Sequence, residues 1–496
     1  MTEFLWILGA VLVLIEIVGL VFAVDSIMQG RTPQGTLAWC FALIMLPIVA
    51  VPFYLVFGSR RFAGYVKARR KRKGELAQLS AHLSRVLAPY AANINGAEEA
   101  APTNEAAASD RTMRRMIVTP CTRGNRAKLL LNGKEFFNAL IRTIDGAAGD
   151  VLVQFYIIND DVTGRRFKAA LLAAAARGVK VRLLYDIIGC SRLPRGYRRE
   201  LAAGGVLVAA FRSSRAPVTR LQINFRNHRK LLVADGNVAI TGGLNIGDEY
   251  DDKDKELTPW RDTAIEITGP AALEAQLSFV EDWHFATGKV PSLPWEVTAR
   301  VTDTRPGVSA CAAAANARVV IAPTGPADEF ESGALLVLHL ISRAQHRLWI
   351  ATPYFVPNES IVDALRLAVL RGVDVRVMVP RAHDQLLMKL AKMSFDPEMM
   401  DAGVKMLQYQ PGFMHQKVIL SDDLASVGSM NLDNRSMRIN FELTAVVADT
   451  DFIMAVVRML ENDFEQCKEL SADSIKRMKL GKRVVVRLAR LLVPVL

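Results

Sequence analysis

Two stretches of this 496-residue chain carry a histidine, a lysine two positions later and an aspartate five positions after that lysine. The residues are His228, Lys230 and Asp235 in the first stretch and His415, Lys417 and Asp422 in the second. Cleavage of a phosphodiester needs a nucleophile, cationic donors for the phosphate oxygens and a proton donor for the leaving alkoxide. Because two imidazoles and two ammonium groups supply all three, the pattern predicts phosphodiester transfer through a phosphohistidine, with no metal or other cofactor.

Each triplet is predicted to lie on a β-hairpin. An apolar run follows each lysine, and Asp235 and Asp422 begin turn sequences that lead into a return strand. Each return strand ends in a corner of small residues that contains an asparagine, Asn245 in the first and Asn431 in the second. We expect these amides, and Ser429 in the second corner, to bind or support the phosphate.

The second hairpin has a shorter turn than the first. Six residues separate Asp235 from Gly242, whereas five separate Asp422 from Gly428. If the turn absorbs the difference, the second corner keeps its place; otherwise Asp423 takes the part of Asp422. Turn aspartates also form local hydrogen bonds, so a structural rather than a catalytic role for both aspartates is an open alternative.

The body of the chain is a repeat of two α/β halves. Strands are predicted at 151–158 and 180–186 with a helix between them, and the same order recurs at 347–356 and 374–380. A strand, a helix and a strand at this spacing predict a right-handed parallel crossover in each half, with mixed sheets flanked by helices. The first half, the linker and the second half are expected at residues 111–302, 303–317 and 318–473.

Two apolar runs near the N-terminus, Phe4–Val24 and Thr36–Phe57, are each long enough to cross a membrane. No basic residue precedes the first run, which argues against a cleaved signal peptide, so residues 1–59 are predicted to form a two-helix transmembrane hairpin. Eight of the fourteen residues at 60–73 are Lys or Arg, and the positive-inside rule therefore places the following chain in the cytoplasm. The other predicted segments are a basic juxtamembrane segment and linker at 60–110 and a basic amphipathic helix on the membrane surface at 474–496.

The charge balance favours an anionic partner. Lys and Arg exceed Asp and Glu by 12. Beside a membrane anchor, anionic phospholipid is the better match, and nucleic acid is not expected. A basic, membrane-tethered nucleic-acid-binding protein is the alternative from another class, and it predicts oligonucleotide binding that weakens steeply with salt. The oligomeric state is left open.

These features together resemble the phospholipase D superfamily and, more narrowly, the bacterial cardiolipin synthases. The narrower resemblance rests on the two-segment anchor and on the stretches WRDT at 260–263 and NLDNRSMRINFE at 431–442. It implies an inner-membrane, multi-pass enzyme of phospholipid biosynthesis, which transfers a phosphatidyl group from one phosphatidylglycerol to another and releases glycerol. A related transferase or hydrolase with another donor, such as phosphatidylethanolamine, is the alternative within the superfamily.

The resemblance also implies roles for individual residues. His228 would be the nucleophile, and His415 would be the general acid and base. Asp262 and Glu442 would be the acidic residues that hydrogen-bond the imidazoles, Asp262 with His228 and Glu442 with His415.

Overall fold

The computed structural model contains two compact units. One unit comprises residues 1–68 and 212–225, and the other comprises 69–211 and 226–496. The predicted linker at 303–317 lies almost entirely outside the described residues. The described residues are 2–28, 33–58, 65, 73–94, 111–117, 119–212, 225–253, 258–298, 316–382, 386–471 and 480–491.

Three apolar helices make up the described N-terminal part of the first unit: α1 at Thr2–Met28, α2 at Pro33–Met45 and α3 at Pro47–Phe57. Among the described residues, α1 is the single helix that is long and apolar enough to cross a membrane, over Gly9–Met28. The second predicted span is two short helices rather than one. The break follows from Pro47, which lacks an N–H and disfavours helical backbone at the preceding residue. Leu46 accordingly has φ −138° and ψ 52°.

The three helices pack closely against one another. A Cβ on Gly19 would lie 2.4 Å from the carbonyl oxygen of Leu43, so glycine permits the approach of α1 to α2. The hydroxyl of Tyr54 on α3 donates a hydrogen bond to Asp25 Oδ2 on α1 at 2.7 Å. The apolar runs therefore fold back on each other, as predicted for a hairpin.

The second unit holds nineteen named strands and twelve named helices among its described residues. The strands are β1 Thr122–Leu131, β2 Asp150–Phe155, β3 Lys180–Asp186, β4 Leu207–Phe211, β5 Leu231–Ala234, β6 Val238–Gly242, β7 Trp260–Arg261, β8 Thr263–Thr268, β9 Ala317–Thr324, β10 Arg347–Ala351, β11 Phe355–Val356, β12 Asp374–Pro380, β13 Lys405–Tyr409, β14 Phe413–Met414, β15 Val418–Ser421, β16 Leu424–Gly428, β17 Leu432–Asp433, β18 Glu442–Ala448 and β19 Cys467–Glu469. The helices are α4 Lys73–Leu87, α5 Asn132–Asp145, α6 Val162–Ala176, α7 Arg195–Ala203, α8 Ala271–Thr287, α9 Ser332–Arg343, α10 Glu359–Leu370, α11 Leu386–Lys392, α12 Asp396–Asp401, α13 Asn434–Arg438, α14 Thr450–Glu465 and α15 Leu480–Leu491.

One mixed sheet of 15 strands runs through both halves, in the order β19-β13-β12-β10-β15-β16-β18-β9-β1-β8-β6-β5-β2-β3-β4. The antiparallel pair β1 and β9 lies at the join, and equivalent strands follow in the same order on either side of it. This order relates the halves by a pseudo-twofold axis. The pairs β2–β3 and β10–β12 are parallel, which confirms the predicted crossovers. The two predicted halves therefore share one sheet.

Both crossover helices end as the sequence predicts. Gly178 and Gly372 follow α6 and α10 with φ of 90° and 85°, left-handed values that a glycine adopts without a Cβ clash. The helices then return directly into β3 and β12. The sheet and its two crossovers carry the apolar core of each half.

Part of the segment predicted as a linker belongs to this body. Lys73–Leu87 forms α4, whose Leu83 and Leu87 are buried against Leu273 and Leu277 of α8. Leucines at i and i+4 lie on one face of a helix, so their burial seats α4 on the first half. The residues between 95 and 110 lie outside the described part of the chain.

Candidate active site

The two motif hairpins are present where the sequence predicts them. β5 pairs with β6 and β15 with β16, both antiparallel. Asp235 and Asp422 occupy the turns with φ of 52° and 51°, in the left-handed region. Leu231 and Val418 each follow a motif lysine directly, and they pair with Thr241 and Val427. The corner glycine follows directly after each of these partners, so the two corners begin at equivalent positions. The shorter second turn therefore absorbs the missing residue, and the second corner keeps its place.

Asp235 and Asp422 hold the hairpin turns to the neighbouring strands. The carboxylate of Asp235 accepts hydrogen bonds from the backbone N–H groups of Ala148, Gly149 and Asp150 at 2.8–2.9 Å. These turns lie at the end of the motif strand opposite the histidine, beyond four strand residues that span about 13 Å. The structure thus gives both aspartates the structural role that the sequence left open, and their catalytic role stays a prediction. Asp422 makes the equivalent contacts, with the N–H groups of Gln345, His346 and Arg347 at 2.6–3.0 Å.

Asp235→Ala is expected to lower the free energy of unfolding by about 1–3 kcal/mol, because it leaves backbone donors without their charged acceptor. Turnover per folded molecule should change by less than a few fold. Thermal denaturation and specific activity of the purified protein measure the two effects. Asp423→Ala is the control, since that residue forms an exposed ion pair with Arg343 in the second turn. Loss of turnover at unchanged stability would restore a catalytic role.

The carboxylate partners of the two imidazoles are exchanged relative to the pairing implied by the family resemblance. His228 Nδ1 lies 3.0 Å from both carboxylate oxygens of Glu442. His415 Nδ1 lies 2.7 Å from Asp262 Oδ2. The implied pairs, Asp262 with His228 and Glu442 with His415, are therefore wrong. Each imidazole is instead held by an acidic residue of the opposite half.

Backbone pairing explains this exchange. The N–H of His228 donates to the carbonyl of Phe441 at 2.9 Å, and the N–H of His415 donates to the carbonyl of Arg261 at 2.7 Å. Phe441 and Arg261 each precede one of the acidic residues in the chain. The segment that carries each histidine therefore runs beside the acidic segment of the other half, and the pseudo-twofold axis brings both pairs to one place.

The two imidazoles are in an electrostatic setting that keeps them neutral. Burial lowers the pKa of His228, and the charges of Lys230 and Lys417 add to this effect against the opposing charge of Glu442. Burial and the neighbouring Lys417 lower the pKa of His415 to about 3. A neutral ring that donates its Nδ1 proton to a carboxylate has a lone pair on Nε2, the atom that can attack phosphorus or take a proton.

Both carboxylates remain ionised in spite of their burial. Burial raises the pKa of Asp262, but Lys417 and His415 outweigh it and hold the pKa below its ordinary value. The pKa of Glu442 is likewise lowered on balance, by His228 and other neighbours that outweigh its burial. Ionised acceptors fix the orientation and the tautomer of both rings.

The two lysines lie against the imidazoles. The Lys230 ammonium donates to the carbonyl of His228 at 2.8 Å, and the Lys417 ammonium lies 2.8 and 3.0 Å from the ring nitrogens of His415. Burial lowers the pKa of Lys230 to about 7. A bound anionic phosphate would stabilise the charged form of both lysines and raise the pKa of the imidazoles. The group is therefore suited to an anion at its centre.

The corner serine of the second half, with Asn440, supports the Glu442 carboxylate. Ser429 donates a hydrogen bond to Glu442 Oε2 at 2.5 Å, and Asn440 donates to Oε1 at 3.2 Å. At the equivalent corner position of the first half, a Cβ on Gly243 would lie 2.1 Å from Asp262 Oδ1. A serine fits beside Glu442, and only glycine fits beside Asp262.

The two corner asparagines differ in their contacts. Asn245 accepts from the N–H of Ile157 at 3.2 Å and donates to the hydroxyl of Tyr250 at 3.0 Å, so it braces the first half. Asn431 is 5% exposed, and its Oδ1 has no hydrogen-bond partner. Asn431 Oδ1 is therefore a buried acceptor that the fold leaves unsatisfied, whereas both polar atoms of Asn245 are used.

Sequence reasoning missed the aromatic side chains that flank the imidazoles. The ring of Tyr156 lies edge-on to His228, with 4.9 Å between centroids. Trp260 and Phe413 lie 5.1 and 5.7 Å from the His415 ring. Tyr156 follows β2 directly, and aromatic residues in and near strands are usually core. The sequence signal for a role in the site was that Tyr156 lies at the end of a strand next to a motif strand.

Two buried ion pairs beside the site were also missed. Arg229 donates to Asp282 on α8 at 2.8 Å, and Arg261 donates through two nitrogens to Asp463 on α14, each at 2.8 Å. Gln416, the counterpart of Arg229 in the second motif, donates to Asp463 at 2.7 Å. Each motif is thereby anchored on the helix that packs behind it.

Comparison with known proteins identifies the family of the chain. A family model described as the PLD-like domain of cardiolipin synthase matches residues 140–275 and 337–468. Cardiolipin synthase A of Pseudomonas putida GB-1 is 42% identical over 491 residues, which cover 98% of each chain. Cardiolipin synthase A of Pseudomonas aeruginosa LESB58 is 40% identical over 99% of this chain and 96% of the relative.

The fold has a solved counterpart as well. The phosphatidylserine synthase of Haemophilus influenzae Rd KW20 superposes with a TM-score of 0.57 at 15% identity, over 78% of this chain and 100% of that chain. At this identity the likeness shows the fold of two paired α/β halves. The family model over both halves and the identity to whole-length relatives show that the chain belongs to the cardiolipin synthase family of the phospholipase D superfamily.

Proposed function

We propose that the chain transfers a phosphatidyl group from one phosphatidylglycerol to the primary hydroxyl of a second, giving cardiolipin and free glycerol. One observation carries the proposal: two imidazoles, each held by a carboxylate of the other half, lie beside two buried lysines. In such a site the ammonium groups can donate hydrogen bonds to the oxygens of an anionic phosphodiester. The whole-length relatives are named for the synthesis of cardiolipin, which supports cardiolipin as the product.

The reaction has two balanced steps. Nε2 of His228 attacks phosphorus, the bond from phosphorus to the glycerol oxygen breaks, and His415 gives its proton to that oxygen. His415 then takes the proton from the hydroxyl of the acceptor lipid, whose oxygen attacks phosphorus and releases His228. The first step requires a protonated His415, and the negative charge of the bound phosphodiester raises its pKa toward that state. Lys230 and Lys417 stabilise the charge on the phosphoryl oxygens.

Product analysis tests this function. Purified enzyme in vesicles that contain labelled phosphatidylglycerol should release glycerol and form cardiolipin in equal amounts, with activity retained after chelation of metals. Phosphatidic acid as the main product would make the protein a hydrolase. Preference for phosphatidylethanolamine in mixed vesicles would change the donor. Salt-sensitive binding of oligonucleotides with no lipid turnover would support the nucleic-acid alternative.

We also propose that the chain is anchored in a membrane with its catalytic body in the cytoplasm. The apolar helix α1 and the apolar pair α2 and α3 suit a multi-pass anchor. The eight basic residues at 60–73 favour a cytoplasmic side for the catalytic body. A bacterial inner membrane meets both conditions, and its phosphatidylglycerol would be the substrate. Protease accessibility in inverted and right-side-out vesicles tests the orientation.

Helix α15 has the form of a membrane-surface helix. Val486 and Ala489 are buried, and Arg490 forms an ion pair with Glu398 at 2.9 Å, so one side of the helix is seated on the body. Large apolar side chains are exposed at positions that recur every three or four residues on the remaining surface. These side chains are Leu480, Val484, Leu488 and Leu491. Lys482, Arg483 and Arg487 add positive charge to the helix.

Leu488→Trp is therefore expected to add tryptophan fluorescence that brominated lipids quench in reconstituted vesicles, because the side chain would enter the lipid. Leu370→Trp is the control, since that residue is equally apolar and 81% exposed on α10. Quenching should rise for the first variant relative to the parent and stay unchanged for the second. Equal quenching in both would exclude a specific contact of α15 with the membrane.

A further inference from the structure

A second cationic group lies on the Tyr156 side of His228. The guanidinium of Arg226 hydrogen-bonds the Tyr156 hydroxyl, and both Arg226 and Arg435 act electrostatically on this phenol. The ring of Tyr156 in turn lies 4.9 Å from that of His228, and the Lys230 ammonium is 5.4 Å from its centroid. Two arginines are therefore connected to the imidazole through one aromatic side chain.

The backbone holds both arginines next to the catalytic groups. Arg226 precedes His228 by two residues, and its carbonyl accepts from the N–H of Phe441 at 2.8 Å. Arg435 lies on α13, whose first turn is capped by Asp433 through a 2.6 Å hydrogen bond to the N–H of Ser436. One arginine thus comes from each half, which is also true of the two histidines.

The two guanidinium groups repel each other. Burial lowers the pKa of Arg435, and the charge of Arg226 adds to this effect. Asp186 is an acidic neighbour of both arginines, and Asp433 is a second acidic neighbour of Arg435. A phosphate that lies between two guanidinium groups binds to both through charge-assisted hydrogen bonds and lowers their mutual repulsion.

The proposed reaction supplies such an anion. The phosphodiester of the donor lipid occupies the centre between the histidines and lysines, while the acceptor phosphatidylglycerol brings a second phosphodiester that does not react. Two lipid phosphates close together repel each other, so the second needs cations of its own. A guanidinium matches phosphate geometry with two parallel hydrogen bonds.

We propose that Arg226 and Arg435 bind the phosphate of the acceptor lipid, next to Tyr156. This inference rests on the proposed function. The site selects an acceptor that carries both a hydroxyl and a phosphate, and it orients that hydroxyl toward the phosphohistidine. Water and free glycerol lack the phosphate and gain nothing from the arginines.

Two reactions of the same enzyme distinguish binding of the acceptor phosphate from binding of the donor phosphate. Exchange of labelled glycerol into phosphatidylglycerol uses the donor site and the phosphohistidine, with glycerol as both leaving group and acceptor. Cardiolipin formation also needs the second lipid. Arg226→Gln and Arg435→Gln should each lower cardiolipin formation about ten- to a hundredfold, the loss typical of one charge-assisted hydrogen bond, and leave glycerol exchange within about threefold.

The control is Arg438→Gln, on the same helix α13 but in an ion pair with Glu331 at 2.8 Å, and it should affect neither reaction. Arg226→Lys and Arg435→Lys should recover part of the cardiolipin activity, because lysine keeps the positive charge but lacks the two parallel N–H donors of a guanidinium. Thermal denaturation of all variants shows whether they fold.

The result that overturns the inference is an equal fall in exchange and in cardiolipin formation, or no fall in either. A folded variant that loses both reactions would place the arginines in donor binding. The wild-type reaction decides the proposed function separately: if it yields phosphatidic acid and no cardiolipin, that function fails and the acceptor site fails with it.

Discussion

His228→Ala is expected to lower cardiolipin formation about ten-thousandfold, because the phosphohistidine has no other nucleophile. His415→Ala should lower it by about 10²–10⁴-fold, the usual worth of a positioned acid and base. Both rates are measured with labelled phosphatidylglycerol in vesicles. His82→Ala, an exposed histidine on α4, should leave the rate unchanged.

Trapping of the intermediate separates the two roles. After long incubation with phosphorus-labelled donor, His415→Ala should retain label on the protein after rapid acid-free denaturation, because loss of the acid slows formation of the phosphohistidine and loss of the base then prevents its transfer to the acceptor. His228→Ala should carry no label. Label on His228→Ala and none on His415→Ala would exchange the roles. Undiminished turnover in either variant would exclude a mechanism that uses two histidines.

Glu442→Gln is expected to lower turnover about 10²–10⁴-fold. The amide donates where the carboxylate accepted, so it favours the tautomer of His228 that carries its proton on Nε2, and this tautomer cannot attack phosphorus. Asp262→Asn should have an effect of similar size through His415. Both carboxylates are fully buried, so melting temperatures must be compared alongside the rates.

Double variants test which carboxylate serves which histidine. Because Glu442 acts through His228, adding Glu442→Gln to His228→Ala should cost little further activity, whereas its loss should add to that of His415→Ala. Asp262→Asn should show the reverse pattern. If Glu442→Gln were instead non-additive with His415→Ala, the pairing across the two halves would not operate in the working enzyme.

The motif residues and their local structure could be predicted from the sequence because this structure depends on residues that are close in the chain. Strand alternation, turn residues and helix-ending glycines are short-range signals, and the hairpins at Asp235 and Asp422 follow from them. The repeat of strand, helix and strand also implied the parallel crossovers. A one-residue difference in turn length was visible, and the turn geometry then showed where it is absorbed.

The sequence indicated a disturbance at the proline of the apolar hairpin but not a complete break of the helix. Pro47 signals a disturbance of the helix, yet a kink and a complete break differ only in how the backbone at Leu46 is arranged. That arrangement depends on packing against α1, where Gly19 allows close approach. Composition alone therefore predicts two apolar runs, and packing decides that the second is two helices.

The sequence by itself predicted which residues do the chemistry: two histidines and two lysines in matching hairpins, with Asp262 and Glu442 added by family resemblance. Tertiary structure alone decided how they are combined. Glu442 holds His228 and Asp262 holds His415, because the pairing of Phe441 with His228 and of Arg261 with His415 crosses between the halves. Contacts between segments some 150 to 210 residues apart depend on the closure of the whole sheet, which no local pattern encodes.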